Sequence, residues 1–391
     1  MTELLQWLCL IPVIGGSVYG LLCVPAALRF CRRKGRDGSG AGSPFPGGVW
    51  PQVTVLKPVY GLEKNLQENL RSICLQDYPD YQVVFSAQRQ DDPAIPLLQE
   101  IQREFGAARV TVVVKNIQAG MNGKVNNLMG GLTEAKHEIL VISDSDILLK
   151  ADYLKTVVAP LADPAVGAVN PLFKAIRADR WYEKLELLSM NADFIPSAVF
   201  AHMTGAADFC MGQSIAMRRE TLEAIGGLES LGEYLVEDYE IGRRIRRSGK
   251  KMAILPYFIE AVVDLKSVSQ WWSHQVYWDQ NTRVARPGGF FATVLTRSVP
   301  FALLYAILRL GDPIGVGVFA VAFSVRHITV AAILGAFRDR EGVRNLGLLP
   351  LRDLLGLVSW ALAFTQRTVI WRGAEFVLTR NGRLIPREAR S

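Results

Sequence analysis

Histidine and closely spaced cysteine, from which most zinc sites and disulfide frameworks are built, are scarce in this sequence. Its 391 residues include four histidines and five scattered cysteines, none of them in a CxxC pair. An odd, dispersed set of cysteines without histidine partners supports neither a disulfide framework nor a zinc site. We therefore expect reduced thiols, as in a cytosolic protein.

The sequence also lacks the repeated interleaving of aromatic and basic residues that single-strand binders use. Its net charge of +7 suits nucleic acid, an anionic membrane or a phosphorylated substrate. The positions of the basic residues decide between these partners. One basic run, 32–36, follows an apolar segment, and another, 243–251, lies beside an acidic motif. We expect a membrane and a phosphorylated ligand as partners, and no nucleic acid.

Charged side chains are absent from residues 4–28, a stretch longer than the roughly 20 residues that cross a bilayer. A cleaved signal peptide would begin with basic residues and have a shorter apolar core. Here the basic residues follow the apolar stretch: Arg29, Arg32, Arg33, Lys34 and Arg36. The positive-inside rule then places the N-terminus outside and the next domain in the cytosol. We predict a transmembrane anchor at 1–34 and a Gly/Ser/Pro-rich linker at 35–50.

Residues 51–287 have the pattern of an α/β catalytic domain. Short apolar strands are predicted at 53–56, 82–85, 110–114 and 139–142, with amphipathic helices at 62–75 and 93–105. Apolar strands that alternate with helices indicate a parallel sheet covered on both faces. Ligands of such sheets bind beyond the carboxyl ends of the strands, where the polar motifs of this chain fall.

The C-terminal region, 288–371, is predicted to form membrane or interfacial helices. Apolar stretches at 290–310, 313–337 and 351–370 are interrupted by charged or polar residues, namely Arg297, Arg309, Arg326, His327 and Arg367. A basic tail at 372–391 indicates the cytosolic side, whereas three full spans would place it outside. One stretch is therefore expected to be interfacial or re-entrant, and the first is the candidate.

Two carboxylates, Asp144 and Asp146, directly follow the predicted strand at 139–142. Carboxylates two residues apart at a strand end can converge on one hard divalent cation, Mg²⁺ or Mn²⁺, that bridges a diphosphate. The alternative is an Asx turn that ends the strand.

Two further acidic motifs lie at other predicted element ends. Asp92 could accept hydrogen bonds from the base or ribose of a nucleotide, or cap the helix that begins near Pro93. Asp238 could serve as a general base with a raised pKa. The alternative for that motif is a capping arrangement with an i,i+4 pair of Glu240 and Arg244 on a solvated helix.

Together these motifs resemble family 2 type glycosyltransferases with a GT-A fold. Five blocks in order, VLKP (55–58), NLRS (69–72), QDYP (76–79), DDPAI (91–95) and KVNNL (124–128), resemble the ceramide glucosyltransferase group. Its bacterial branch includes the glycosyltransferase of hopanoid biosynthesis. The resemblance runs from about residue 52 to 285, with a weaker echo at 371–373.

The resemblance implies a role for each motif. Asp92 would contact the uridine, and Lys124 and Asn127 would hold the nucleotide. Asp144 and Asp146 would hold the metal, and Asp238 would deprotonate the acceptor hydroxyl for a single inverting displacement. Such a displacement requires no second carboxylate as nucleophile. Residues 202–214 lie where the acceptor would sit, although Phe209, Met211 and Gly212 would equally suit a packed core turn.

One element departs from the family pattern. Members of this group carry a Q/R-x-x-R-W sequence, whereas this chain reads HQVYW at 274–278 and keeps only Trp278. Arg283, Arg286 or a protonated His274 could supply the missing positive charge. The alternative is an aromatic belt at the membrane interface, formed by Trp271, Trp272, Tyr277 and Trp278.

The sequence therefore predicts an inverting glycosyltransferase of the bacterial inner membrane with a cytosolic catalytic domain. The bacterial branch implies transfer of N-acetylglucosamine from its UDP-sugar to bacteriohopanetetrol. Glucosylation of ceramide, or of another lipid such as diacylglycerol, is the alternative. A non-enzymatic nucleotide-sugar-binding scaffold is the second alternative, favoured only by the altered HQVYW element.

Overall fold

The computed structural model describes residues 2–32, 42–207, 209–365, 368–371, 374–379 and 382–386. The basic residues Arg33, Lys34, Arg36 and Arg367, residues 35–41 of the predicted linker and the ends of the basic tail lie outside these ranges. The helices are α1 (Thr2–Arg32), α2 (Leu66–Cys74), α3 (Ile95–Phe105), α4 (Gly123–Leu132), α5 (Tyr153–Val158), α6 (Trp181–Leu188), α7 (Ile195–Met203), α8 (Arg219–Ala224), α9 (Glu237–Arg247), α10 (Val268–Ala285), α11 (Pro287–Ala292), α12 (Ser298–Leu308), α13 (Pro313–Ala336), α14 (Arg340–Arg344) and α15 (Leu349–Thr365).

The strands form two sheets. They are β1 (Val53–Pro58), β2 (Tyr81–Ala87), β3 (Val110–Val114), β4 (Ile139–Ser143), β5 (Ile147–Leu148), β6 (Val166–Ile176), β7 (Ser214–Arg218), β8 (Lys251–Val262), β9 (Thr368–Trp371), β10 (Ala374–Leu378) and β11 (Leu384–Pro386). The large sheet has the order β3-β2-β1-β4-β7-β6-β8-β5. Strands β1 to β4 are parallel, and β7 is antiparallel to both of its neighbours. This mixed sheet confirms the predicted α/β class and the GT-A architecture.

The first strands of the sheet are covered on both faces, although they include buried polar residues such as Thr54, Gln82 and Lys57. Every residue of β1, β2 and β4 is buried, and α2 and α3 occupy the predicted helical segments between the first strands. Helix α3 ends at Gly106, whose φ of +84° is left-handed backbone that suits glycine. These connections bring the carboxyl ends of β1 and β4 side by side.

Within the described ranges, three helices are long and apolar enough to cross a membrane: Thr2–Arg32, Pro313–Ala336 and Leu346–Thr365. Residues Pro287–Thr296 and Ser298–Leu308 form a pair bent by 53°, the shape of a broken span or a re-entrant loop. The bend lies in the stretch predicted to be interfacial or re-entrant. It also places Arg297 at the break, where a helix has no continuous hydrogen-bonded turn.

Helix α1 packs tightly against this bent pair. A Cβ at Gly16 would lie 2.6 Å from the carbonyl oxygen of Thr296, so only glycine allows the two backbones to approach so closely. Gln6 donates to the carbonyl of Leu308 at 3.3 Å, which joins the start of α1 to the end of α12. The opposite end of α1 therefore faces the catalytic domain.

The C-terminus differs from the sequence prediction. The third apolar stretch, predicted at 351–370, remains helical only to Thr365, and 368–371 form strand β9. Strands β9, β10 and β11 make a small antiparallel sheet that includes part of the predicted tail. The helix was predicted from hydrophobicity alone. β-Propensity, which is high for the successive Thr, Val, Ile and Trp at 368–371, favours a strand there.

Candidate active site

The predicted site residues come from three different parts of the fold that meet at the carboxyl edge of the sheet. Asp144 and Asp146 follow β4, Lys124 is in the first turn of α4, and Asp238 is in the first turn of α9. The Lys124 Nζ lies 2.6 Å from Asp144 Oδ1. A Cβ at Gly212 would lie 3.3 Å from that Nζ and 3.0 Å from Asp238 Oδ2. The fold thus collects these four side chains around one point.

The two helix N-termini are joined by Asn122, which the sequence analysis did not consider. Its Oδ1 accepts from the backbone N–H groups of Lys124 and Val125 at 2.9 and 3.0 Å, and so caps α4. Its Nδ2 donates to Glu237 Oε2 at 3.0 Å, at the start of α9. Glu237 Oε1 is also 3.4 Å from Lys124 Nζ. The start of α9 is therefore fixed relative to the start of α4.

Asp238 has the electrostatic environment of a proton acceptor. Burial and the neighbouring Glu237 carboxylate raise the pKa of Asp238 to about 7, although Lys124 acts in the opposite direction. A carboxylate whose pKa lies near the working pH can take a proton from a substrate and release it again. This direction is compatible with the role of general base, which stays a prediction for Asp238.

Asp146 is the carboxylate best placed to bind a cation. Burial, Asp144 and Glu63 raise its pKa to about 7, against Lys57 and Lys124. Its Oδ1 is buried and has no hydrogen-bond partner. The described residues contain no cluster of three or more His, Cys, Asp or Glu side chains that could enclose a metal alone. Two carboxylates that leave positions for phosphate oxygens and water fit Mg²⁺ or Mn²⁺ bound with a diphosphate.

Lys57 belongs to this site but was given no role from sequence. It ends strand β1 fully buried, and its Nζ donates to the backbone oxygen of Asp144 at 2.6 Å and to Ser143 Oγ at 3.2 Å. Burial lowers the pKa of Lys57 to about 8, although the charges of Asp146, Asp144 and Glu63 oppose this. The signal was a lysine within an apolar strand, because such a charge is rarely buried unless paired.

The side-chain nitrogen of Asn127 is hydrogen-bonded, whereas its side-chain oxygen has no partner among the described residues. Its Nδ2 donates to the backbone oxygen of Val59 at 2.9 Å, and its Oδ1 is buried without a partner. A buried carbonyl oxygen without a donor costs free energy unless a ligand or water supplies one. This arrangement is compatible with the nucleotide contact expected of Asn127, which stays a prediction.

Asp92 holds a backbone turn. Both of its carboxylate oxygens accept from the N–H of Gly61 at 3.1 Å, and Oδ1 also accepts from the N–H of Ala94 at 2.9 Å. Its neighbour Asp91 is exposed and paired with Arg89. Asp92 thus holds the turn that precedes α3 but does not cap the helix, whose N-cap Ala94 has no side-chain hydrogen bond, and contact with uridine stays a prediction.

We expect Asp92→Ala to lower the free energy of unfolding by about 1–3 kcal/mol, because two buried N–H groups lose their acceptor. Asp91→Ala is the matched control and should change stability little, since its ion pair is exposed. Denaturation of both variants in detergent, together with UDP binding, measures the effect. Unchanged stability of Asp92→Ala would contradict the structural role.

His274 has a hydrogen bond on one side of its ring and a carboxylate at ion-pair distance on the other. Trp278 Nε1 donates to His274 Nε2 at 2.7 Å, and His274 Nδ1 lies 2.9 Å from Glu186 Oε1. Burial acts to lower its pKa, but Glu186 outweighs burial and the pKa of His274 is raised. An indole only donates, so Nε2 must be unprotonated to accept this bond. A positive charge on His274 therefore requires the indole of Trp278 to move.

Arg283, the other proposed source of positive charge, and the tryptophans of the proposed aromatic belt contact residues inside the protein. The guanidinium carbon of Arg283 is 6.0 Å from the ring centre of Phe364 on α15, a cation–π distance. Trp271 is only 4% exposed and packs against Trp181 and Trp272, so it belongs to a core and not to a lipid-facing belt. Trp278 packs edge-on against Phe194. The HQVYW element is thus internal to the protein.

Residues 202–214 were expected to form either the acceptor site or a packed core turn, and Met211 and Gly212 differ in this respect. Met211 is buried in the main apolar core, which supports the core alternative for this side chain. Gly212 instead borders the site: its carbonyl accepts from Lys124 Nζ at 3.1 Å. Because a Cβ here would meet the Asp238 carboxylate at 3.0 Å, glycine keeps the space beside that carboxylate open.

The C-terminal sheet supports the segment that leads into α9. Leu235 N–H donates to the carbonyl of Gly382 at 3.0 Å, and Leu384 N–H donates to the carbonyl of Glu233 at 2.9 Å. Leu235, Phe376 and Leu384 share an apolar cluster. Because Asp238 follows this segment directly, part of the predicted tail helps to hold the catalytic helix.

A GT-A sheet with carboxylates gathered at its carboxyl edge, attached to apolar helices, defines the class of membrane-associated glycosyltransferases. The sequence profile of glycosyl transferase family 21 matches residues 14–384. The chain belongs to this family.

Individual relatives are more distant. The chain is 24% identical over 349 residues to ceramide glucosyltransferase 3 of Caenorhabditis elegans, covering 86% of this chain and 74% of the relative. It is 32% identical over 136 residues to a ceramide glucosyltransferase of Gibberella zeae, covering 32% of this chain and 26% of the relative. A mannosyltransferase from Pyrobaculum calidifontis, solved with GDP-Man and Mn²⁺, is 22% identical at a TM-score of 0.49, covering 91% of this chain and 98% of that one.

Proposed function

We propose that this protein transfers a sugar from a UDP-sugar to a hydroxyl group of a membrane lipid, with inversion at the anomeric carbon. The observation that carries the proposal is Asp238, a half-buried carboxylate with a pKa of about 7 beside the Lys124–Asp144 pair. A base and a cationic diphosphate site are the two parts that a single displacement requires.

The donor diphosphate would lie at the N-terminus of α4. The helix dipole favours an anion there, and the Lys124 ammonium adds a full positive charge. Asp144 and Asp146 would hold Mg²⁺ or Mn²⁺, which when bound supplies positive charge for the departing diphosphate. Lys57 orients the backbone between these two aspartates through the carbonyl of Asp144.

Asp238 would act on the acceptor. Its carboxylate takes the proton of the lipid hydroxyl while the hydroxyl oxygen bonds to the anomeric carbon, and the bond from that carbon to the diphosphate breaks. UDP leaves with the bonding electron pair. Glu237 keeps the Asp238 pKa high enough for this transfer, and the open space at Gly212 admits the hydroxyl.

For the acceptor we propose bacteriohopanetetrol with UDP-N-acetylglucosamine as donor, on the cytosolic face of a bacterial inner membrane. The support is the resemblance of the sequence blocks to the hopanoid branch. Ceramide with UDP-glucose is the second candidate, and the names of the relatives in Caenorhabditis elegans and Gibberella zeae favour it. The apolar helices suit either acceptor, since both lipids reside in a bilayer.

A single assay tests the function and separates the acceptors. Purified protein with Mn²⁺ is given each UDP-sugar with each lipid, and released UDP and glycolipid are measured. We expect equal amounts of both products for one combination and none without lipid. Thermal stabilisation by UDP and Mn²⁺ without UDP release in any combination would instead support the non-enzymatic scaffold.

A further inference from the structure

A cavity of about 250 Å³ lies between α1, α10, α13, α15 and the segment that joins α6 to α7. It contains apolar and polar lining side chains, among them Phe194, Phe290, Ile333 and Thr329. A volume of this size equals about eight water molecules at roughly 30 Å³ each. It therefore has room for a lipid headgroup but not for two long hydrocarbon chains.

The charges around this cavity are nearly balanced. Its carboxylates belong to Glu186, Asp193, Asp279 and Asp353, and its guanidinium groups belong to Arg297, Arg326 and Arg352. Arg326 and Arg352 pair with Asp193 and Asp353. Charged residues on helices of membrane-spanning length are costly and usually have a function. Because four carboxylates face three guanidinium groups, the cavity suits a neutral polar group better than a phosphate.

One buried donor at this cavity has no hydrogen-bond partner among the residues that the structure describes. Arg297, at the break between α11 and α12, has an Nε that is buried and not hydrogen-bonded, while the other two arginines are paired. A buried guanidinium donor left without an acceptor is costly unless a ligand or water supplies one. The hydroxyl oxygens of a lipid headgroup are suitable acceptors.

Helix α10 separates this cavity from the catalytic residues. Gln275, Trp278, Asp279 and Thr282, spaced as one helical face, line the cavity. Tyr277 lies on another face, where burial and then the charges of Glu237 and Asp238 raise its pKa to about 12. Helix α10 therefore lies between the cavity and Asp238.

Polar contacts connect the two sides of helix α10. Glu186 is 2% exposed, lines the cavity and bonds to His274 on the catalytic side. On the cavity side, Gln275 donates to Glu186 and accepts from Ser189 Oγ at 3.0 Å. Arg352 Nε then donates to Ser189 Oγ at 3.2 Å. The network links the cavity to the altered HQVYW element.

We propose that this cavity binds the neutral, hydroxylated headgroup of the acceptor lipid next to the catalytic centre, with Arg297 as a hydrogen-bond donor to it. The inference rests on the proposed function for the identity of the lipid. It assigns acceptor recognition to the helical region, whereas the donor is bound by the α/β domain.

Two variants test this kinetically. Arg297→Met removes the unpaired donor, and we expect the KM for the lipid to rise roughly ten-fold or more while the KM for the UDP-sugar is unchanged. Thr282→Leu adds volume on the cavity face of α10 and should act in the same way. The matched controls are Arg309→Met, whose guanidinium pairs with Asp312 near the far end of α12, and Ser273→Leu on α10. Neither control should change the KM for the lipid.

Photolabelling of the wild-type protein supplies a readout that does not require turnover. A bacteriohopanetetrol, a ceramide and a phosphatidylglycerol, each with a diazirine near the headgroup, are crosslinked, and the labelled peptides are mapped. We expect bacteriohopanetetrol or ceramide to label α1, α10 or α13 beside the cavity, less so in Thr282→Leu, and phosphatidylglycerol not to label there. Labelling elsewhere, no labelling, or an unchanged lipid KM in both folded variants would overturn the inference. Labelling at the cavity without sugar transfer would instead reject the proposed function.

Discussion

Asp238→Asn is expected to reduce sugar transfer by about 10²–10⁴-fold, because an amide cannot accept the proton of the lipid hydroxyl. Binding of UDP with Mn²⁺ should remain, since Lys124, Asp144 and Asp146 are unchanged. At pH 8 the variant should be at least as stable as the wild type. The folded-state pKa of Asp238 is raised from 3.8 to about 7, so its ionisation lowers stability progressively as the pH rises between these two values, and the whole cost is present at pH 8.

The raised pKa of Asp238 also predicts how turnover depends on pH. Wild-type turnover should fall as the pH drops below about 7, because Asp238 becomes protonated. The groups that face it are Glu237 on α9, Lys124 on α4, Cys210 before β7 and Tyr277 on α10. The pKa values of Cys210 and Tyr277 are both raised, so these two groups stay neutral throughout this range.

The variant Glu237→Gln tests whether the acid limb of the pH profile arises from Asp238 or from another titrating group. Removal of the Glu237 charge lowers the pKa of Asp238, so the acid limb of the profile should move to lower pH. Glu229→Gln, in the short helical turn before α9, is the matched control and should leave the limb in place. Transfer by Asp238→Asn near the wild-type rate, or an acid limb that Glu237→Gln leaves unmoved, would reject Asp238 as the base.

The sequence was sufficient to predict the sheet and several residues at its edge. Apolar strands that alternate with helices can pack in few ways, and parallel topology brings their carboxyl ends together. Asp144, Asp146, Lys124 and Asp238 are therefore close to one another, as expected. Their individual roles remain predictions.

The remaining parts of the site depend on contacts between distant segments. Glu186 meets His274 across 88 positions of the chain, and Asn122 meets Glu237 across 115. No local pattern encodes such pairs. The C-terminal sheet was missed for a different reason: basic composition was interpreted as a solvated tail, although Phe376 and Leu384 pack near α9.

Removal of the carboxylates at 144 and 146 is the second large effect that we expect. Asp146→Asn should lower transfer by about 10²–10³-fold, because loss of one electrostatic contact to a developing negative charge typically costs this much. EDTA should abolish wild-type transfer, and Mn²⁺ or Mg²⁺ should restore it. Asp77→Asn is the matched control, since that side chain is 74% exposed and pairs only with Lys155 in the described structure.

A direct measurement of Mn²⁺ binding distinguishes a metal ligand from a residue that supports the fold. Asp146 Oδ1 is buried without a partner, so conversion to Asn breaks no hydrogen bond of this oxygen. It also removes a carboxylate whose neighbours Asp144 and Glu63 repel it, and stability should not fall. Titration of Mn²⁺ in the presence of UDP should then show an affinity at least roughly ten-fold weaker for Asp146→Asn than for Asp77→Asn, since hard cations prefer charged oxygen ligands. Equal Mn²⁺ affinities with low activity would place Asp146 outside the metal site.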